Sequence, residues 1–194
     1  RTEWIKKLTI GTSVKSIGDK AFDGCKNLTM VDFQYGVKKI DTHAFWGCTG
    51  LTSIILPESL EEIGLGAFEF CKNLTTVRLP NSLKTIKKEA FEGTGLKTVV
   101  IPESVECIER QSFGGTGSPL ADVYVLGCNT KAENHAFDPV QYTYDYELKN
   151  KDNIQNGNDY KLIYCHMENF TNAIIVKVTK HSNFIVGYKE GEVI

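Results

Sequence analysis

The side chains best suited to chemistry in this 194-residue chain are its six cysteines and four histidines. Cys165 and His181 could in principle act as a nucleophile and its general base, although no supporting motif surrounds them. His43 and His135 precede well-separated Ala-Phe positions, so we do not expect them to share a metal ion. The sequence contains no C-x-x-C, H-E-x-x-H or G-x-S-x-G motif. An enzyme with a site in residues 140–194 is therefore the least favoured function, and no catalytic residue, metal site or cofactor is predicted.

Three of the cysteines follow a regular spacing. Cys25, Cys48 and Cys71 are 23 residues apart, and Thr94 and Thr116 continue the series. A position that accepts both cysteine and threonine favours a small and mostly buried side chain. We therefore interpret these cysteines as reduced structural thiols.

Composition narrows the range of partners. With 22 basic and 24 acidic side chains, the net charge is -2 and the pI is about 6.1, so nucleic-acid binding is not predicted. No apolar run approaches the roughly 20 residues of a membrane helix, so we predict no membrane insertion by this segment. Because the chain begins at Arg1 without a methionine, we expect an upstream segment to have been removed.

An internal repeat organises most of the chain. Its unit begins with Leu-x-x-Φ-x-Φ, where Φ is apolar, and ends near an Ala-Phe or Ser-Phe pair. About six units of 22 to 24 residues cover residues 1–139. The phenylalanines that mark the units are Phe22, Phe45, Phe68, Phe91, Phe113 and Phe137.

Such a repeat predicts a solenoid, because one unit has too few apolar residues to form a core without its neighbours. The Leu-x-x-Φ-x-Φ segment alternates in polarity and predicts one short strand per coil. Successive strands would then form a parallel sheet with a spacing of about 4.8 Å. In such a stack the six phenylalanines lie above one another as a buried aromatic column, and Gly24, Gly47 and Gly93 turn the chain towards the next coil.

The unit is clearest in Leu51-x-x-Ile54-x-Leu56-Pro57-x-Ser59-Leu60-x-x-Ile63-x-x-x-Ala67-Phe68-x-x-Cys71. This motif resembles the leucine-rich repeats of the BspA-like (treponemal-type) surface proteins. The resemblance implies a leucine-rich-repeat solenoid of the α/β horseshoe class, curved, right-handed and rich in β-strand. It also implies an extracellular or cell-surface protein of a host-associated bacterium or protist, with roles in adhesion and protein binding.

The repeat ends after Pro139, and the pattern of residues 140–194 predicts a small antiparallel β unit. Because the open end of a solenoid exposes its core and its strand edges, we favour a C-terminal β cap. A small independent β domain is the alternative. Within it, Tyr142, Tyr144 and Tyr146 could form an aromatic platform for a sugar or a protein.

The outward positions of the predicted strands form the candidate binding surface, here called the sheet face. They differ from coil to coil and mix apolar side chains with two isolated charges, Asp32 and Arg78, a mixture that favours a protein contact. We expect the sheet face to be the concave one. Its residues are Lys7, Thr9, Met30, Asp32, Ser53, Ile55, Thr76, Arg78, Thr98, Val100, Asp122 and Tyr124.

The sequence therefore favours a non-catalytic module that binds through the sheet face, either to a protein such as a host matrix or serum protein, or to a glycan. A passive solvated face is the competing interpretation. A structural spacer that presents a binding domain in residues 140–194 is the second hypothesis. Trp46 is an exposed aromatic outside the sheet face, interpreted either as a contact residue or as local packing.

Overall fold

A computed structural model of the protein describes residues 4–115, 118–120, 122–127, 130–133 and 136–137, and the backbone of residues 188–189 and 192–193. The predicted leucine-rich-repeat solenoid is confirmed. Each coil contributes two short strands rather than the single strand that the sequence predicted, and successive coils pair in parallel.

The first strand of each coil carries the Leu-x-x-Φ-x-Φ pattern. These strands are β1 (Lys7–Ile10), β3 (Met30–Phe33), β5 (Ser53–Ile55), β7 (Thr76–Arg78), β9 (Thr98–Ile101) and β11 (Asp122–Val125). They form three parallel pairs, β1 with β3, β5 with β7 and β9 with β11, instead of one continuous ladder. The register is the one the repeat predicts, because Leu8 lies beside Val31 and Ile54 beside Val77.

The second strand of each coil forms the continuous sheet of the molecule. These two-residue strands are β2 (Ser16–Ile17), β4 (Lys39–Ile40), β6 (Glu62–Ile63), β8 (Thr85–Ile86), β10 (Cys107–Ile108) and β12 (Lys131–Ala132). They pair in sequence order as six parallel strands. In each of the first five, the isoleucine is buried and the residue before it faces outward.

A column of phenylalanine rings runs through the core, as predicted. Adjacent rings have centroids 5.1 to 5.6 Å apart and planes inclined by at most 17°. Phe45, Phe68 and Phe91 are fully buried, whereas Phe22, in the first coil of the column, is partly exposed. Leucine and isoleucine columns pack around the rings, so every coil depends on its neighbours for its core.

The C-terminal region is described only as a short hairpin. Strands β13 (Tyr188–Lys189) and β14 (Glu192–Val193) pair antiparallel, with Tyr188 beside Val193. The rest of the predicted cap or domain, with Tyr142, Tyr144 and Tyr146, lies outside the described residues.

Candidate binding surfaces

The predicted sheet face is assembled by strand register. Lys7 lies beside Met30, and Thr9 beside Asp32, across β1 and β3. In the same way the pairs Ser53–Thr76, Ile55–Arg78, Thr98–Asp122 and Val100–Tyr124 are brought together by the other two strand pairs. Ten of these side chains are exposed and Tyr124 is half-buried, while the side chain of Asp122 lies outside the described residues.

Three large apolar side chains are exposed on this face. Ile55 is 64% exposed, Met30 50% and Val100 48%. Strand geometry alone explains why they point outward, since their neighbours Ile54, Val31 and Val99 occupy the buried positions. The fold therefore leaves an apolar side chain in three different coils without cover from the described residues.

Arg78 is not the isolated charge that the sequence suggested. Its guanidinium lies 3.1 Å from a carboxylate oxygen of Glu58, whose other oxygen accepts a hydrogen bond from the backbone N–H of Asn81. Glu58 precedes Arg78 by nearly one repeat, so stacking brings the two side chains together. Both remain largely exposed, and an exposed pair of this kind adds little to stability.

A second surface lies where each coil turns towards the next. We call it the turn edge and define it as residues 20–24, 43–47, 66–70, 89–93 and 111–115. The residue before each Ala-Phe or Ser-Phe pair has a left-handed backbone in all five segments, with φ near +55°; these residues are Lys20, His43, Gly66, Glu89 and Gln111.

The left-handed residues of the turn edge align backbone N–H groups along the stack. The N–H groups of Lys20, Phe22 and Gly24 donate to the carbonyls of Thr42, Ala44 and Trp46 in the next coil, at 2.8 to 2.9 Å. The equivalent bonds recur down the solenoid. This backbone conformation is thus part of every coil and marks no site by itself.

Phe70 is the exception on the turn edge, and it was not among the residues predicted from the sequence. The position two residues after the core phenylalanine is glycine at 24, 47, 93 and 115, but Phe70 adopts the same left-handed backbone, with φ 57°. For an L-residue this conformation costs roughly 1–2 kcal/mol. A break in the glycine column was the sequence signal that could have identified this residue.

Trp46 and Phe70 form an exposed aromatic pair. Their ring centroids are 5.8 Å apart with the planes at 87°, and each residue is 37% exposed. The Phe70 ring also covers Gly93 of the next coil, where an added Cβ would lie 2.6 Å from Cδ1 of the ring. This geometry fits both interpretations of Trp46, because the two rings pack on each other and each stays partly accessible.

Acidic groups lie near Trp46 in the next two coils. Glu69 accepts a hydrogen bond from the Trp46 indole and lies 3.4 Å from Nε2 of His43. Burial, and then repulsion from Glu89, raises the pKa of Glu69. Burial and the charges of Glu89 and Glu69 likewise raise the pKa of Glu92.

The predicted cysteine column is buried in the described structure. Cys25, Cys48 and Cys71 are free thiols with no exposed surface. The thiols of Cys48 and Cys71 donate to the carbonyls of Phe22 and Phe45, each at 3.1 Å. A hydrogen bond with Cys71 and, as a smaller cause, burial raise the pKa of the Cys48 thiol far above its ordinary range. This thiol is therefore protonated and inert at neutral pH.

The other chemical candidates are covered only in part by the described residues. Within the described ranges, no three His, Cys, Asp or Glu residues are grouped to hold a metal ion. His135, Cys165 and His181 lie outside the described residues. No helix long and apolar enough to cross a bilayer occurs in the part of the chain that the structure describes.

The fold defines the class of the protein, a leucine-rich-repeat scaffold with variable outward positions. The model of the BspA type leucine rich repeat region, with six copies, matches residues 2–120 and 80–185. The chain therefore belongs to the BspA-type leucine-rich-repeat family, as the repeat motif suggested. No curated protein matches the sequence.

Solved structures of bacterial leucine-rich-repeat proteins share the fold. The leucine rich repeat protein TpLRR of T. pallidum is 35% identical with a TM-score of 0.57, over 61% of this chain and 55% of that one. A protein of Bacteroides ovatus is 33% identical with a TM-score of 0.59, over 66% and 34% of the two chains.

A leucine rich cell surface protein of Faecalibacterium prausnitzii is 28% identical with a TM-score of 0.50, over 62% of this chain and 39% of that one. The chain thus spans between about a third and about half of the length of these three proteins.

Proposed function

We propose that this chain is a non-catalytic binding module of a secreted or cell-surface protein, and that it binds a protein partner through the sheet face. The observation that carries the proposal is the exposure of Met30, Ile55 and Val100 on one set of aligned strands. Their inward neighbours are nearly constant from coil to coil, whereas the outward positions vary. Outward side chains that do not contribute to the core are available to contact a binding partner.

The chemistry of the face favours a protein over a nucleic acid. Protein interfaces combine a few apolar anchors with polar and charged side chains at their rim. Asp32, Arg78 and Lys7 are exposed beside the apolar anchors, and too few positions are basic to follow a phosphate backbone. The cell-surface description of the Faecalibacterium neighbour supports an extracellular location. In that location, a host matrix or serum protein is the partner that we propose.

The test is binding of the purified chain to defined matrix and serum proteins and to a glycan array. Ile55→Glu combined with Asp32→Lys should abolish binding to the protein that the wild type captures, without lowering the melting temperature. Tyr35→Glu is the matched control, since Tyr35 is 72% exposed and lies outside the sheet face.

Unchanged binding by the Ile55 and Asp32 variant would refute the sheet face as the site. If deletion of residues 140–194 then abolished binding, the spacer hypothesis would replace the present one. Capture of glycans and of no protein would also refute the proposal.

A further inference from the structure

The turn edge carries an aromatic and acidic cluster that the proposed function does not use. It consists of Trp46 and Phe70 with the carboxylates of Glu69, Glu89 and Glu92. These residues belong to the turn edge, on either side of the core phenylalanines, whereas the sheet face belongs to the first strands. The cluster therefore presents a surface separate from the sheet face.

The aromatic pair is not required by the solenoid. Gly24, Gly47 and Gly93 make the same turn with the same backbone conformation and without a side chain. At Phe70 the chain accepts a left-handed L-residue and leaves 37% of it exposed. Trp46 stands at a position that is acidic in the neighbouring coils, at Asp23, Glu69 and Glu92.

The charge around the rings is negative. Burial first, and then the charge of Glu89, raises the pKa of both Glu69 and Glu92, and the charge of Glu69 also acts on Glu92. Lys88, 2.9 Å from Glu89, is the cation that acts on this group, and Nε2 of His43 lies 3.4 Å from Glu69. Among the described residues, the three carboxylates outnumber the Lys88 ammonium group that acts on them, which leaves negative charge beside Trp46.

We propose that Trp46, Phe70, Glu69, Glu89 and Glu92 form a second binding site, which takes a lysine or arginine side chain from a basic segment of a protein partner. A cation is attracted by the face of an aromatic ring and strongly by carboxylates, and the cluster offers both. The charge of the bound cation would also relieve the repulsion among the three glutamates. A neutral sugar stacked on the rings would leave that repulsion in place. An anionic ligand would add to that repulsion.

The site is tested with defined probes on the full chain by isothermal titration calorimetry. We expect a short oligoarginine peptide to bind, and a glycine-serine peptide, an oligoglutamate peptide and a neutral oligosaccharide not to bind. Phe70→Gly should weaken oligoarginine binding about tenfold, the magnitude of a partly desolvated cation–π contact. This variant restores the glycine found in adjacent coils, so the solenoid should remain folded.

Two variants that each remove one negative charge distinguish a specific site from a general electrostatic attraction of the peptide to the protein. Glu92→Gln should weaken oligoarginine binding, whereas Glu106→Gln, which changes an exposed carboxylate paired with Lys84, should not. Ile55→Glu should leave it intact, because the proposed site is independent of the sheet face. Equal weakening by Glu92→Gln and Glu106→Gln, full binding by Phe70→Gly, or preferred binding of the oligosaccharide would each overturn the proposal.

Discussion

At the scale of single residues, a serine hydroxyl joins adjacent coils of the solenoid. The Ser59 hydroxyl donates to the carbonyl of Val37 at 2.7 Å and accepts from the N–H of Gly36 at 3.0 Å. All three groups are buried. Replacement by alanine would leave a buried donor and a buried acceptor unpaired, so we predict that Ser59→Ala lowers the free energy of unfolding by about 1–3 kcal/mol in urea titrations.

Ser104 provides the control for this prediction. It occupies the equivalent position two coils further along, but its buried hydroxyl makes no hydrogen bond to any described residue. Ser104→Ala should therefore leave the urea midpoint nearly unchanged or raise it slightly. Equal losses from the two variants would show that the hydrogen bonds of Ser59 are not the source of its contribution.

A second residue-scale prediction concerns Glu92, whose pKa is raised above its ordinary value of 4.5 by burial and by Glu89 and Glu69. Between the unfolded-state and folded-state pKa values the folded protein holds more protons, so the free energy of unfolding falls as pH rises. Glu92→Gln removes this loss. We expect the variant to melt at a higher temperature than the wild type at neutral pH, and the difference to vanish below about pH 4.5.

The pH profile decides between electrostatics and packing at Glu92. Its side chain also covers Gly115 of the next coil, a contact that glutamine preserves. A melting difference that is the same at acidic and neutral pH would mean that packing, and not ionisation, separates the two proteins.

At the scale of the repeating elements, the phenylalanine column connects the coils. Phe68 stacks on Phe45 and on Phe91 with centroids 5.2 Å apart on each side, and it is fully buried. Phe68→Ala removes both contacts and opens a cavity that the backbone ladders on either side keep from collapsing. We predict a loss of about 3–5 kcal/mol in the free energy of unfolding, measured by urea titration.

Phe22→Ala is the comparison at this scale. Phe22 stacks on Phe45 alone in the described column and is partly exposed, so its truncation should cost clearly less. If both variants lost the same stability, the stacking of interior rings would not be what holds the coils together.

The sequence was informative wherever one residue type recurs at the period of the coil. The phenylalanine spacing predicted the ring column, and the Leu-x-x-Φ-x-Φ segments predicted the register of β1 with β3 and of β5 with β7. The second strands were missed because two residues are too few to display an alternation. The left-handed column was missed because Lys20, His43 and Glu89 share a backbone angle and no side-chain chemistry.

The candidate surfaces were predictable to different degrees. Positions on the sheet face follow from alternation along a strand, so register places them together. The pairing of Arg78 with Glu58 depends instead on side-chain reach between adjacent coils, which the repeat does not encode. The contact of Trp46 with Phe70 likewise arises from one departure in a glycine column.

At the scale of the whole molecule, the solenoid is a sum of similar units joined by neighbour contacts. Three sets of coil-to-coil contacts repeat along it: the pairs of first strands, the six-stranded sheet and the backbone ladder of the turn edge. Each set aligns residues that are one repeat apart, as Ile40 with Ile63. Stability is therefore expected to depend on the register between coils more than on the presence of any particular coil.

The last prediction follows from this modularity. Deletion of residues 51–73 removes one 23-residue unit and joins Gly50 to Leu74, which is equivalent to Leu51, so that the coil of Phe45 can stack on the coil of Phe91. We expect the shortened chain to remain folded and to keep the oligomeric state of the wild type, with a cooperative melt at a lower temperature, by circular dichroism and size-exclusion chromatography. Deletion of residues 51–62 is the control, because it breaks the register of every column beyond the junction. That variant should lose its cooperative melt, and a solenoid that tolerated both deletions equally would not be held together by aligned columns.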